Sequence, residues 1–529
     1  MNALLPTLAL LAATALPLAH AQSAPEPANA LGGTQSSQWR AASRLGYGPG
    51  PHDDAGGMGN AKEWALGQLQ LAAAASQKPA QIPKEMSGFE VPMPELFTGY
   101  RNEREALRAQ PPAVPLREQA AAARAAQMAA AEGAGGEMGT AQQAMPGAAA
   151  AGATGDNNQA FSRDMARKAA SWRLLACSRA DLENPLLARM TEFWFNHLNV
   201  FAGKGPVRPF VGHYVVHAIR PHALGRFEDL LLASARHPAM LFYLDQAQSV
   251  AEGGPAPPMA GDVRPNQPRG LNENYARELL ELHTLGANGG YTQTDVRELA
   301  RVLTGWTVGP QTSDGFRFAP RMHDRNEKVV LGQRLRASAL ASGITEGESV
   351  IRMLARHPST AQRVALRLAQ FFVADQPSPA LVQRLAARFT ATQGDISAVL
   401  QTLIESGEFW QQDNQLFKTP FDYACSVLTA IGGPKERADY AASLLFLAAA
   451  GQPVHGWATP DGYKTDAATW LVPEALSRRA DFALALGRRV KDPSPLQAWL
   501  TPVSRERVSR ESASLQAGLS LAAPEFMFK

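Results

Sequence analysis

Only two cysteines occur in the 529-residue chain, so neither a disulfide framework nor a CxxC metal site can organise it. Charge of one sign is also lacking. Acids and bases stand at 48 against 51, and this balance, without a concentrated basic face, gives no reason to expect a nucleic-acid partner. Beyond the first residues no apolar run is long enough to cross a bilayer, so no transmembrane anchor is expected in the mature chain. The sequence has no HExxH, no EF-hand loop, no GxSxG elbow, no Walker A loop and no GxGxxG after a strand. Function classes that announce themselves by those motifs are therefore not indicated. The cofactor is left unspecified: a metal is compatible with the sequence, but no strong motif asks for one.

What is present begins with Ala3 to Leu18, almost wholly apolar and ending at Ala19-His20-Ala21. That small-x-small pattern reads as a signal peptide over 1–21 with cleavage before Gln22, although no Lys or Arg precedes the run. The protein is accordingly expected to be periplasmic or secreted. Residues 22–38 read as a flexible leader, and 39–76 as the amino-terminal helices of the main domain. Residues 77–159, rich in Pro and then in Ala and Gly, read as a partly helical, poorly docked or disordered insertion, because alanine favours helix but offers little to pack. Cys177 and Cys425 both lie in apolar runs and read as small buried core residues. An oxidising compartment would permit one bond between them.

From 160 to 529 apolar residues recur at three and four, which predicts a large, predominantly α multi-helix domain. Thr419-Pro420 and Gly394-Asp395 look like helix starts, and Ala-Arg-His-Pro occurs twice, at 235–238 and 355–358, as a helix break with restart at the proline. One stretch departs from the helical period. Phe316 to Gly332 predicts a small β-hairpin that carries His323 and Asp324 near its turn and presents His323 to the helical body.

The densest polar pattern is Leu271 to Thr307, LNENYARELLELHTLGANGGYTQTDVRELARVLTGWT. On a helix at about 100° per residue, Glu273, Arg277 and Glu281 share one stripe, Asn274 and Glu278 flank it, and Tyr275, Leu279 and Leu282 lie opposite. A solvated stripe of alternating charge explains this as well as an internal site with acid/base or metal-ligand oxygens. His283 projects to the apolar side. Thr292 or Thr294 can cap the next helix, which ends at Thr304-Gly305-Trp306. In MTEFWFNHLNVF, from Met190 to Phe201, an aromatic face carries His197, with Glu192 and Asn196 beside it; a hydrogen-bonded core histidine is the ordinary reading. A metal would need at least three of His197, His283, His323, Glu273, Glu278, Glu281 and Asp324 to converge. Trp457, Tyr463 and Trp470 in VHGWATPDGYKTDAATW could stack on sugar rings or cap the core.

Taken in order, WRAASRLGYGPG, MTEFWFNHLNVF, HALGRFEDLLLASARHPAMLFYLD, the Leu271 run, HDRNEK with VVLG, LARHPSTAQRVALRLAQFFVAD and LAAPEF closely resemble the bacterial family named domain of unknown function 1800. The resemblance covers nearly everything but the leader and the 77–159 insertion. It implies an exported, mainly helical protein, often encoded beside an exported protein of the domain of unknown function 1501 family, which resembles alkaline phosphatases and sulfatases. It brings no activity. Its motifs fall on Asn196, His197, Asn272, Glu273, Asn274, Arg277, Glu278, Gly305, Trp306, His323, Asp324 and Lys328, and Gln246 stands where the family commonly has Asn. The expectation is a pocket built from the Asn272 helix, the His197 helix and the His323 hairpin. Glu273, Glu278, His323 and Asp324 would be its acid/base groups, and Asn196, His197, Asn272, Asn274, Arg277, Trp306 and Lys328 its binding groups. It would bind or process a polar, anionic or glycan ligand outside the cytoplasm. A noncatalytic partner or scaffold for the domain of unknown function 1501 protein is the alternative.

Overall fold

The computed structural model describes residues 33–51, 58–109, 160–254, 270–335 and 343–529. The signal segment and residues 110–159 lie outside them. The principal helices are α1 (Gly33–Leu45), α2 (Ala61–Ser76), α3 (Met93–Arg108), α4 (Ala160–Ser178), α5 (Pro185–His197), α6 (Phe227–Arg236), α7 (Pro238–Tyr243), α8 (Glu273–Glu278) and α9 (Gln293–Leu303). They continue as α10 (Gly343–Ala355), α11 (Pro358–Phe372), α12 (Pro379–Ala391), α13 (Ile396–Glu405), α14 (Pro420–Ala430), α15 (Arg437–Ala449), α16 (Pro473–Gly487), α17 (Pro502–Ser509) and α18 (Ala513–Leu521). The chain is thus predominantly α with small hairpins.

Local chemistry sets the helix starts. Thr419 Oγ1 accepts from Asp422 N and Asp395 Oδ1 from Ala398 N, so both expected caps form. Both Ala-Arg-His-Pro copies work alike: His237 Nδ1 accepts from Ala239 N and His357 Nδ1 from Ser359 N, each imidazole capping the helix that its proline opens. Thr292 rather than Thr294 caps α9, in a reciprocal box with Asp295.

Two apolar clusters result. The larger runs from α2 to Phe409 around Trp194, Phe210, Tyr275 and Trp306. The smaller gathers Trp39, Tyr47, Phe421, Tyr423, Phe446, Phe482 and Phe526. Cys177 of α4 and Cys425 of α14 are buried, as their apolar settings suggested, and they are also joined in a disulfide across 248 residues of sequence. Composition understated the packing of 77–109. Phe89, Met93, Leu96 and Phe97 are buried in the larger cluster, and Glu103 accepts from Ser162 N at 3.0 Å, tying α3 to α4. Sparse apolar residues at helical spacing suffice here, because each fully buried one contributes about 1.5–3 kcal/mol.

The predicted hairpin over 316–332 forms with different partners. Strand β1 (Trp306–Val308) pairs antiparallel with β2 (Phe316–Phe318), and β3 (Lys328–Val330) with β4 (Gln333–Leu335). Leu331 and Gly332, at φ of 49° and 74°, make a two-residue turn that returns the chain at once, so β3 pairs forward and not back to β2. His323 and Asp324 consequently sit in the link between two hairpins.

Candidate functional site

Helix α8 starts where Asn272 Oδ1 accepts from Asn274 N, while Asn272 Nδ2 donates to Leu244 O at 2.9 Å. That second bond fixes α8 against the end of α7. After Glu278 the chain widens into a π-helical turn, Leu279–Thr284, in which Thr284 Oγ1 donates to Leu279 O at 2.6 Å. The extra residue per turn breaks the 100° register. Leu280 is fully buried in place of the expected Leu282, and His283 is buried with it.

The register change leaves the two faces of α8 with different neighbours. On one face, Glu273 accepts from Gln293 Nε2 at 2.7 Å, and Arg277 donates to Gln293 Oε1 at 2.8 Å. Here α8, α9 and the 323–326 link enclose an open groove of about 930 Å³, lined by Glu252, Glu273, Arg297, Glu298, Arg301, His323, Asp324 and Arg325 among others. Its carboxylates are committed. Arg297 holds Glu252 at 2.6 Å, and Arg301 holds Glu298 at 2.6 Å and Asp324 at 2.7 Å. Burial pushes the Asp324 carboxyl up, but Arg301 and the Asn326 N–H outweigh it and hold it below the usual aspartate range. Arg325 is exposed and makes no hydrogen bond or ion pair with a described residue.

Behind the groove, His323 Nδ1 lies 2.8 Å from Thr304 O and its Nε2 3.1 Å from Glu346 Oε2. Only one ring nitrogen of neutral imidazole donates; since a carbonyl can only accept, Nδ1 carries the proton and Nε2 bears a lone pair unless the ring is charged. Lys328, almost fully buried, donates to Glu346 Oε1 at 2.9 Å and to the carbonyls of Asp324 and Asn326. Glu346 is raised by burial, yet His323 and Lys328 outweigh this and hold it below the usual glutamate range. Sequence reasoning missed Glu346, which lies in α10 outside every motif that drew attention. Trp306 is fully buried and donates from Nε1 to Gly343 O; a Cβ on Gly347 would approach its ring to 2.4 Å, so this indole is packed into the core.

The remaining candidates lie elsewhere. Asn196 clamps the backbone of Tyr463, accepting from its N at 2.7 Å and donating to its O at 2.8 Å. Gly462 makes this possible: its φ is +70°, and a Cβ there would lie 2.1 Å from Asn196 O. His197 Nε2 is 3.1 Å from His283 O, inside a cage of Phe193, Trp194 and Phe227, and burial pushes its pKa well below the ordinary value, with Arg363 and Arg367 adding to the shift. Asn274 is exposed. Glu278 makes no hydrogen bond with a described residue; it is half-buried, and desolvation, then Glu281, push its carboxyl above the ordinary value. The structure therefore brings Glu273, His323 and Asp324 to one groove and puts Asn196, His197 and Glu278 on another side of α8. Among the described residues no three His, Cys, Asp or Glu side chains are grouped as metal ligands.

A family model described as a protein of unknown function, DUF1800, matches residues 40–526. No curated protein and no solved structure is matched.

Proposed function

The chain belongs to the DUF1800 family, and on that premise we propose that it is an exported protein that binds an anionic, glycan-type ligand in the groove between α8, α9 and the 323–326 link. The observation that carries this is the state of the charges. Every carboxylate lining the groove is engaged by a guanidinium or an amide, whereas among the described residues the Arg325 guanidinium has no partner and Arg297 is held by an exposed Glu252 alone. A ligand carboxylate, sulfate or phosphate would find a planar fork at Arg325 and could displace Glu252 from Arg297. Arg301 serves as scaffolding. With Asp324 tied to it and Glu273 tied to Gln293, the acids here position the walls, which favours holding a ligand over breaking a bond. The apolar run at 3–18 and the Cys177–Cys425 disulfide both support a location outside the reducing cytoplasm.

The test uses oligogalacturonate as the anionic probe and a neutral dextran of equal length as control, followed by calorimetry at low and physiological salt. Binding of the anionic chain that weakens with salt, and is lost in the double variant Arg297→Ala, Arg325→Ala, is the expected result. Absent binding, or binding indifferent to both arginines, would sink the reading. If the double variant instead loses a co-purifying protein of the domain of unknown function 1501 family, the groove is a partner-docking surface and the scaffold alternative replaces ligand binding.

A further inference from the structure

Where the two apolar clusters meet, the interior keeps a small cavity of about 10 Å³. Trp172 and Ala176 of α4 wall it from the larger cluster, and Tyr47, Cys177 and Ala188 from the smaller. Two of the side chains lining it carry a polar atom that is buried and has no hydrogen-bond partner among the described residues, Tyr47 Oη and Arg173 Nη1. Both side chains are held in place. Gly46 lets α1 end against Pro185, where a Cβ would come within 3.1 Å of the proline, and Gly48, at φ +113°, turns the chain, so Tyr47 is drawn inside with Arg189 4.8 Å over its ring. Arg173 lies over the rings of Phe195 and Phe421 and commits Nη2 to Glu192, with Nη1 left over.

Buried donors are rarely left bare, so the cavity calls for something that accepts from both. Size and charge decide what it is. The volume suits a single water-sized molecule. An anion would satisfy the two donors but share the space with the Glu183 carboxylate, and a cation would face the Arg173 guanidinium. A water meets both kinds of group: it accepts from Tyr47 and Arg173 and has two protons to give, which the other polar lining residues can take. Thr191 Oγ1 donates to Leu187 O at 2.8 Å, which leaves its own lone pairs open. Glu183, bonded to Arg220 Nε at 2.5 Å and Nη2 at 3.1 Å, is a carboxylate with room for a further donor. Burial pushes the Tyr47 hydroxyl above its ordinary pKa, so it keeps the proton that it would donate.

We propose that this cavity binds one internal water, held by Tyr47 Oη and Arg173 Nη1 and donating to Thr191 and Glu183, which bonds the end of α1 to α4 and α5 across the seam between the clusters. The site is separate from the groove and does not depend on the ligand proposed there. The test is a high-resolution crystal structure of the mature chain, from crystals grown once in chloride and once in bromide. One density peak is expected within hydrogen-bond reach, about 3 Å, of both Tyr47 Oη and Arg173 Nη1, with no anomalous signal from bromide. In solution, oxygen-17 relaxation dispersion should contain a long-lived water whose exchange quickens about fivefold in Tyr47→Phe, the factor that one hydrogen bond of average strength is worth. That substitution removes a single oxygen to which no described residue bonds, so the variant should keep the wild-type circular dichroism; if it fails to fold, the wild-type crystals still decide. An empty cavity, a direct bond from Tyr47 to Arg173, a bromide peak, or exchange unchanged in folded Tyr47→Phe overturns the site.

Discussion

The two apolar clusters bury charge-capable side chains in opposite ways. The larger one keeps histidines neutral: His197, His213, His237 and His283 are all buried, and burial drives each below its ordinary pKa. His237 shows how. Its Nδ1 accepts the Ala239 N–H, so its proton sits on Nε2 and is donated across 3.0 Å to His213 Nδ1. A further proton on either ring would set two donors face to face. The smaller cluster lays its cationic side chains on aromatic rings. Arg479 sits over Phe417 and Tyr423, Lys418 over Phe526 and Trp39, and Arg189 over Tyr47 and Phe371. One carboxylate, Asp422, pairs with both Arg189 and Lys529. Sequence alone does not separate these strategies; each cluster needs its own partners to make its buried groups tolerable.

Acid should break the comparison most strongly. A histidine whose folded pKa is depressed leaves stability intact above its unfolded value near 6.5 and removes it as pH falls below that, because the unfolded chain then binds the proton that the fold refuses. His213 and His283 are pushed down to about 3, and the other two lower in direction, so the window opens at 6.5 and extends below pH 4. Four such groups give an upper limit of about 5 kcal/mol per pH unit. Urea midpoints measured between pH 8 and 5 should fall steeply. His237→Asn, which keeps an N-cap acceptor but cannot titrate, should flatten the slope by up to about 1.4 kcal/mol per pH unit. An unchanged slope would show that the imidazoles charge within the fold. The smaller cluster responds on the other side of neutrality: burial, then Arg189, pulls Lys529 down to about 8, so between pH 8 and 10 its contribution to stability rises.

Much of this was legible beforehand. Helical periodicity, the caps at Thr419 and Asp395 and the paired Ala-Arg-His-Pro breaks are local signals, and the structure has them where the sequence put them. The π-helical turn after Glu278 was not legible, because nothing in LLELHT announces an extra residue per turn, and it buried Leu280 where Leu282 was expected while leaving His283 on the apolar side. Nor could local spacing give convergence. Asn196 and Glu278 were marked by resemblance, yet their common neighbour is the 457–463 loop, which begins 261 residues after Asn196 and 179 after Glu278. The strand partners of β2 and β3 failed for a different reason: alternation identifies strands, whereas turn geometry at Leu331-Gly332 decides who pairs.

Asp422→Ala should come next in size. It leaves Arg189 and Lys529 buried without their counter-charge, a loss of about 3–5 kcal/mol. Burial raises the Asp422 carboxyl, but Arg189 and Lys529 outweigh it and hold it well below the aspartate range, so it is ionised at both pH 8 and pH 5 and the loss should not shrink at the lower pH. A deficit that shrinks at pH 5 would mean that this cluster also titrates. Removing the Cys177–Cys425 bond, by Cys177→Ala with Cys425→Ala, should cost about 2–5 kcal/mol, through the long unfolded loop it closes. Equal stability with and without reductant in the wild type would show that the bond does not form in solution.

The smallest effect is expected at Lys418, and it tests the comparison from inside the second cluster. Its ammonium is buried, makes no hydrogen bond with a described residue and rests 4.4 Å from the centre of the Phe526 ring. Burial drives its pKa far down despite the attraction of Asp422, and Lys529, Arg189 and Arg479 add to the fall. A group that the interior holds so poorly contributes packing more than charge. Lys418→Met keeps the length and the contact with the rings while deleting the desolvation cost, so stability should change by less than about 1 kcal/mol, in the favourable direction. If Lys418→Met instead costs as much as Asp422→Ala, the ammonium is charged and paired through the cluster as a whole, and the contrast between neutral imidazoles and ring-bound cations holds even at its weakest member.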